Sequence, residues 1–147
     1  MFGSKKQPAI RSLIGEGTVI QGTLRFSDGL RIDGEIQGDV IASANDTSIL
    51  VISEKAKVTG TVKAGHVIIN GTVIGPVESN HLLELQPKAH IQGDVVYESL
   101  EMHQGATIEG ALHRISSGTS GAFSKSVGSV ALEDKPSLKL LATGNDK

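Results

Sequence analysis

The sequence predicts an all-β protein: a right-handed, three-sided parallel β-helix of about six coils, with flexible tails at both ends. Three observations carry this. A short motif recurs six times, apolar residues alternate within each copy, and large aromatics are almost missing. Only 3% of the 147 residues are aromatic, with no Trp or Cys, while Gly reaches 18. A core without large rings must be built from Ile, Val, Leu and Ala packed at close, regular spacing.

The motif is a β-branched residue, any residue, Gly, any residue, an aliphatic. It runs Ile20-Gln-Gly22-Thr-Leu24, Ile36-Gln-Gly38-Asp-Val40, Val58-Thr-Gly60-Thr-Val62, Val73-Ile-Gly75-Pro-Val77, Ile91-Gln-Gly93-Asp-Val95 and Ile108-Glu-Gly110-Ala-Leu112. A small residue stands two positions before each copy: Thr18, Gly34, Ala56, Gly71, Ala89 and Ala106. Upstream of five copies lies a second alternating pair: Leu30/Ile32, Leu50/Ile52, Val67/Ile69, Leu83/Leu85 and Leu100/Met102. Alternation is strand periodicity. Strands this short bury a face only by stacking on their neighbours in the next repeat.

The bends follow. Pro76 and Pro87 cannot donate to a ladder and mark corners. A polar corner recurs at 43–48, 64–66, 79–81 and 98–99. Three bends per coil make a triangular section. The motif glycines are spaced 16, 22, 15, 18 and 17 residues apart. This drift, together with the general preference of parallel crossovers, favours the right-handed form. At ~4.8 Å per coil, six coils give a rod of about 30 Å. The expected organisation is a flexible segment 1–15, a β-helix domain 16–115 and a disordered tail 116–147 that opens on Ser116-Ser-Gly-Thr-Ser-Gly121 and holds a short apolar patch, Leu138-Lys-Leu-Leu141.

Charge is unevenly placed. Residues 1–11 carry +3, residues 12–113 carry −7 and residues 114–147 carry +2. An acidic middle argues against a nucleic-acid-binding core. The lack of Cys, of a signal-peptide core and of a ~20-residue apolar run reads as a cytoplasmic protein. The N-terminal tip pairs Met1 and Phe2 with Lys5 and Lys6. A bulky hydrophobe beside lysines suits an anionic membrane surface, at roughly 1 kcal/mol per Lys, and many tips on one polymer would add through avidity.

Chemistry is not legible. No GxxxxGK[ST] or GxGxxG loop is present, so no nucleotide or other cofactor is expected. Zinc would need His and carboxylate ligands. His66 and His81 each lie six residues after a motif glycine and are expected to stack at one corner, but with His90 they read as solvated rather than as a metal site. Asp39 and Asp94 occupy equivalent positions three coils apart, roughly 14 Å along the axis. A glycosidase pair needs about 5–9.5 Å. They are expected on the outer rim, facing water, and the chain is not expected to be an enzyme.

A β-helix has two open ends, each a full coil of unpaired backbone groups that can template another chain. No amphipathic cap is evident in the sequence. The expected end contacts are Leu24 and Phe26 in the first coil, and Leu112 and Ile115 in the last. Open ends predict coaxial stacking without nucleotide, and like-to-like contacts would make filaments without polarity.

The six repeats, the stretch LRIDGEIQGDV at 30–40 and the Met-Phe tip with its lysines resemble the bactofilins. The resemblance implies a bacterial cytoskeletal protein with a right-handed three-sided β-helix. It implies nucleotide-independent, nonpolar filaments on the inner face of the cytoplasmic membrane, scaffolding cell-shape or envelope machinery, often peptidoglycan-modifying enzymes. It carries the membrane tip onto Met1, Phe2, Lys5 and Lys6. An aromatic near the C-terminal end of the rod would be expected of the family. The nearest here is Phe123, beyond the Ser/Gly stretch. Two other readings remain open: a β-helix enzyme (a hexapeptide-type acyltransferase or a His-zinc trimer) and a passive adaptor rod.

Overall fold

The computed structural model describes residues 10–43 and 47–115, and the backbone of 123–131. It is all-β, a parallel solenoid of about six turns. The first coil is β1 (Ser12–Ile14), β2 (Val19–Gln21) and β3 (Leu24–Phe26). The second is β4 (Gly29–Ile32), β5 (Glu35–Gln37) and β6 (Val40–Ala42), and the third β7 (Ile49–Ile52), β8 (Lys57–Thr59) and β9 (Val62–Ala64). The fourth is β10 (His66–Ile69), β11 (Thr72–Ile74) and β12 (Val77–Ser79). The fifth is β13 (Leu82–Leu85), β14 (His90–Gln92) and β15 (Val95–Tyr97). The sixth is β16 (Ser99–Met102) and the long β17 (Thr107–Arg114), which spans two sides.

Three parallel columns result. Face one is β1-β4-β7-β10-β13-β16. Face two is β2-β5-β8-β11-β14 and the start of β17, and face three is β3-β6-β9-β12-β15 and its end. The solenoid therefore opens at Ser12, inside the segment 1–15 set apart in the sequence. One further strand, β18 (Phe123–Ala131), lies within 116–147 and runs antiparallel along the outer edge of β17.

Inward positions stack in register: Ile36, Val58, Val73, Ile91 and Ile108 form one column, all fully buried. Val40, Val62, Val77 and Val95 form the next, and Ile32, Ile52, Ile69 and Leu85 the third, also fully buried. β-Branched residues suit this pleated, tightly spaced interior.

The uneven spacing has two origins: the six-residue connection 43–48 between β6 and β7 makes the 22-residue step, and the corner between faces one and two makes the rest. Coils one, three, five and six turn there through four residues, closed by Thr18 N–H to Gly15 O, Ala56 to Ser53, Ala89 to Gln86 and Ala106 to His103. Coils two and four turn through only two, ending on Gly34 and Gly71. A Cβ on Gly34 would sit 2.5 Å from the carbonyl oxygens of Gly15 and Thr18, and one on Gly71 2.2 Å from Ser53 O. Only glycine fits the short form. In the second coil Asp33 sits at this corner, where the Ser53 hydroxyl and then the Arg31 guanidinium hold its carboxyl below the usual range.

The motif glycines make the next corner. Gly38, Gly60, Gly75, Gly93 and Gly110 have φ between +145° and +155°, and each stacks on the carbonyl of the motif glycine before it. They thus serve both the bend and the close approach.

Asp39 and Asp94 face this corner, but solvation is not all they do. The Asp39 carboxylate accepts the Thr61 N–H at 2.9 Å, and Asp94 accepts that of Ala111 at 3.1 Å. Each satisfies the residue after the glycine in the coil above. Where that residue is Pro76 there is no N–H to satisfy, and the coil below offers Thr61 instead of Asp. Asp39→Ala is expected to cost about 1–3 kcal/mol by stranding the Thr61 donor, read as a lower denaturation midpoint. Asp94→Ala should cost less, because its bond to Ala111 is exposed and water replaces it. The polar corner is similarly tied: Ser48 Oγ accepts from Gly65 N, and Ser79 Oγ donates to Gly65 O.

Candidate functional site: the two ends of the column

The two ends are not alike. At the first coil, β1, β2 and β3 pair only with the second coil, so among the described residues all three outer edges lack a strand partner. The aliphatic column is cut open there. Ile14, Ile20 and Leu24 are half-buried, whereas Ile32, Ile36 and Val40 directly above them are fully buried. Around this cut end sits an apolar belt: Leu13 is 59% exposed, Val19 54% and Ile10 44%. Leu13 and Val19 point outward, flanking the corner Gly15-Glu16-Gly17-Thr18. Exposed ion pairs stand beside the belt, Arg11 with Asp28 at 3.4 Å and Lys55 with Glu16 at 3.8 Å.

At the last coil the edge is two-thirds occupied. β18 pairs along β17 from Thr107 opposite Ala131 to Arg114 opposite Phe123, with a register shift between Ile108 and Gly110. Ile108 and Leu112 are buried there. On face one no described strand lies beyond β16, and its inward Leu100 and Met102 are only half-buried.

Each residue singled out in the sequence has a definite place. Leu24 lies at the cut end. Phe26 is in the same strand but only 8% exposed, packed into the core. Leu112 is buried, with Lys125 of β18 as its Cα partner. Ile115 lies just beyond β17, 37% exposed, its N–H donating to Tyr97 O. Met1, Phe2, Lys5, Lys6 and the apolar patch 138–141 lie outside the described residues. Ile14, Ile20, Leu13 and Val19 join Leu24 at this end; Leu13 and Ile14 lie before the expected domain start at residue 16, whereas Val19 and Ile20 lie within it. The signal was available, because Ile14 lies four residues before Thr18 as Ile52 does before Ala56.

The histidines divide between faces. His66 opens β10 and His81 precedes β13 at the same corner one coil on, its N–H bonded to Gly65 O. His90 sits on face two, its Nδ1 2.7 Å from Thr107 Oγ1. Burial pushes the His66 imidazole below its ordinary pKa, opposed by the nearby Glu84 carboxylate. Among the described residues no three His, Asp or Glu side chains are grouped to hold a metal ion, and no helix is long and apolar enough to cross a membrane.

The geometry offers surfaces for backbone pairing and apolar contact at the ends of a rod. Residues 12–113 match the profile of the family described as bactofilin, polymer-forming cytoskeletal. No curated protein and no solved structure matches the chain.

Proposed function

The chain belongs to the bactofilin family of polymer-forming cytoskeletal proteins, and from that premise we propose that it assembles end to end into nucleotide-independent filaments, beginning at the first coil. The observation that carries this is the cut end itself: three strand edges without partners among the described residues, around half-buried Ile14, Ile20 and Leu24. Two first coils meeting about a two-fold axis would pair those edges and close the column. Such a contact is isologous, so a filament built from it has no polarity. About ten backbone hydrogen bonds at ~1 kcal/mol net each, less the association entropy, leave enough for a stable junction.

The other end is governed by β18. It occupies the β17 edge that a second junction would use, so growth beyond a pair requires β18 to leave or to be shared. A chain ending at Ile115 is therefore expected to form longer filaments than the full chain at equal concentration, measured by negative-stain microscopy and pelleting. Shorter filaments would show that β18 builds the junction instead.

The filaments are proposed to lie on the inner face of the cytoplasmic membrane, held by Met1, Phe2, Lys5 and Lys6, and to scaffold cell-shape or envelope-synthesis machinery there. The deciding experiment is electron microscopy of the purified chain without nucleotide, with and without vesicles of anionic phospholipid. Filaments that bind the vesicles, and lose them when residues 1–8 are removed, are the expected result. A monodisperse monomer at high concentration would overturn the reading.

A further inference from the structure

We infer that face one is a lateral contact surface for a second copy of this chain, laid antiparallel against it. The outward row of this face reads, coil by coil, Leu13, Arg31, Val51, Ile68, Glu84 and Glu101, each in direct register with the next. Half-buried Leu82 of β13 edges its apolar middle; in that second outward row Ile49 is buried and His66 stands between the two. The outward row of face two holds Glu35, Lys57, Thr72, His90 and Thr107 after Val19. Face three reads Arg25, Ile41, Lys63, Glu78, Val96 and His113, so face one is the side with adjoining apolar residues at its centre, one cation towards the first coil and two carboxylates towards the last.

That pattern selects its own partner. Consider a two-fold axis in the contact plane, parallel to the strands and passing between β7 and β10. It sets Val51 on Ile68, Arg31 on Glu84 and, at the rim, Leu13 on Glu101 of the second copy. Each pairing occurs twice. Rods laid parallel would instead set Arg31 on Arg31 and Glu84 on Glu84, which repels. The Arg31 Nε already holds Asp33 at 2.9 Å, and a guanidinium has five donors in all, so it has capacity for a second carboxylate. Glu84 lies 3.5 Å from His103 and accepts from Gln86.

The size of the face sets the strength. Strands of about four residues, six of them, cover roughly 13 Å by 29 Å, or about 750 Å² for the pair. That is below the ~1,200 Å² of a stable complex. One pair of rods therefore associates weakly, and a filament presenting many such faces associates strongly. The contact itself does not depend on how the ends meet.

Because the chain has no Cys, disulfide trapping tests this directly. Chains carrying Val51→Cys are mixed with chains carrying Ile68→Cys and oxidised. A disulfide between the two copies is expected whether or not filaments form, so this result stands apart from the fate of the end-to-end reading. The control pair is Ile41→Cys with Val96→Cys, outward on face three in the second and fifth coils. Adding Arg31→Glu to both chains should lower the yield severalfold to about tenfold, since two exposed pairs become repulsive. Adding Glu84→Arg as well should restore it. Equal trapping on face three, no trapping on face one, or no recovery in the charge-swapped chains would each overturn the assignment.

Discussion

Replacing Gly60 by alanine is expected to unfold the solenoid rather than weaken it. Gly60 has φ +151°, and an added Cβ would sit 2.2 Å from Gly38 O and 2.5 Å from its carbonyl carbon. Both atoms are backbone, so no side chain can swing aside. The conformation alone costs about 1–3 kcal/mol for a residue with a Cβ. Relieving the overlap means separating the second and third coils by more than an ångström. That breaks the bonds linking them at this corner, Gly38 N–H to Thr59 O and Val40 N–H to Thr61 O. The total exceeds ~4–5 kcal/mol, the range reached by only the most damaging substitutions, against a stability of about 5–15 kcal/mol. A solenoid is held by nearest-neighbour interfaces, so one lost interface divides the rod. Gly22→Ala is the matched control. Gly22 has φ +120° with nothing within 4 Å of its Cβ position, so it bears the conformational cost alone. Circular dichroism melts should show no cooperative transition for Gly60→Ala and a modest downward shift for Gly22→Ala. If Gly60→Ala melts within a few degrees of the parent, the glycine ladder does not hold the coils as described.

The second large effect is on assembly with the fold intact. The double variant Leu13→Lys, Val19→Lys is expected to abolish filaments. Both side chains are more than half exposed, so their loss costs the monomer little. At an isologous junction every introduced lysine brings its own copy with it, and four ammonium groups would ring the closed column. Like charges at such a contact cost several kcal/mol, enough to cancel a junction built on weak net hydrogen bonds. Phe26→Arg is the wrong tool for this question, since Phe26 is buried and its replacement damages the core. Sedimentation velocity should show a monomer with the parent's β-sheet spectrum. Filaments of normal length would move the junction away from the first coil.

Much of this fold was readable along the chain, because its determinants are local. Alternation within three to five residues fixes which side chains face inward, and recurrence of the aliphatic-Gly-aliphatic motif fixes the coil count at six. Ile36, Val58, Val73, Ile91 and Ile108 could be aligned before their stacking was known. The start of the first coil is weakly marked in the sequence because Ser12-Leu13-Ile14 shows one inward aliphatic where later coils show two. β18 was hidden because its apolar residues Phe123, Val127 and Val130 are spaced by four and three, not two. Its register with β17 slips between Ile108 and Gly110, which breaks the alternation a strand would otherwise display.

The sequence by itself therefore determined the column: its period, its inward residues and the positions of its corners. Only the tertiary structure decided what the corners do and which end, among the described residues, lacks a further strand. Whether Gly60 turns the chain or touches its neighbour depends on an atom 22 residues earlier, Gly38 O. Whether Asp39 faces water alone or holds a neighbour depends on Thr61 N, 22 residues later. Whether the last edge is covered depends on β18, which pairs antiparallel with β17. These are contacts between coils, set by stacking register, and register is a property of the assembled column rather than of any one repeat.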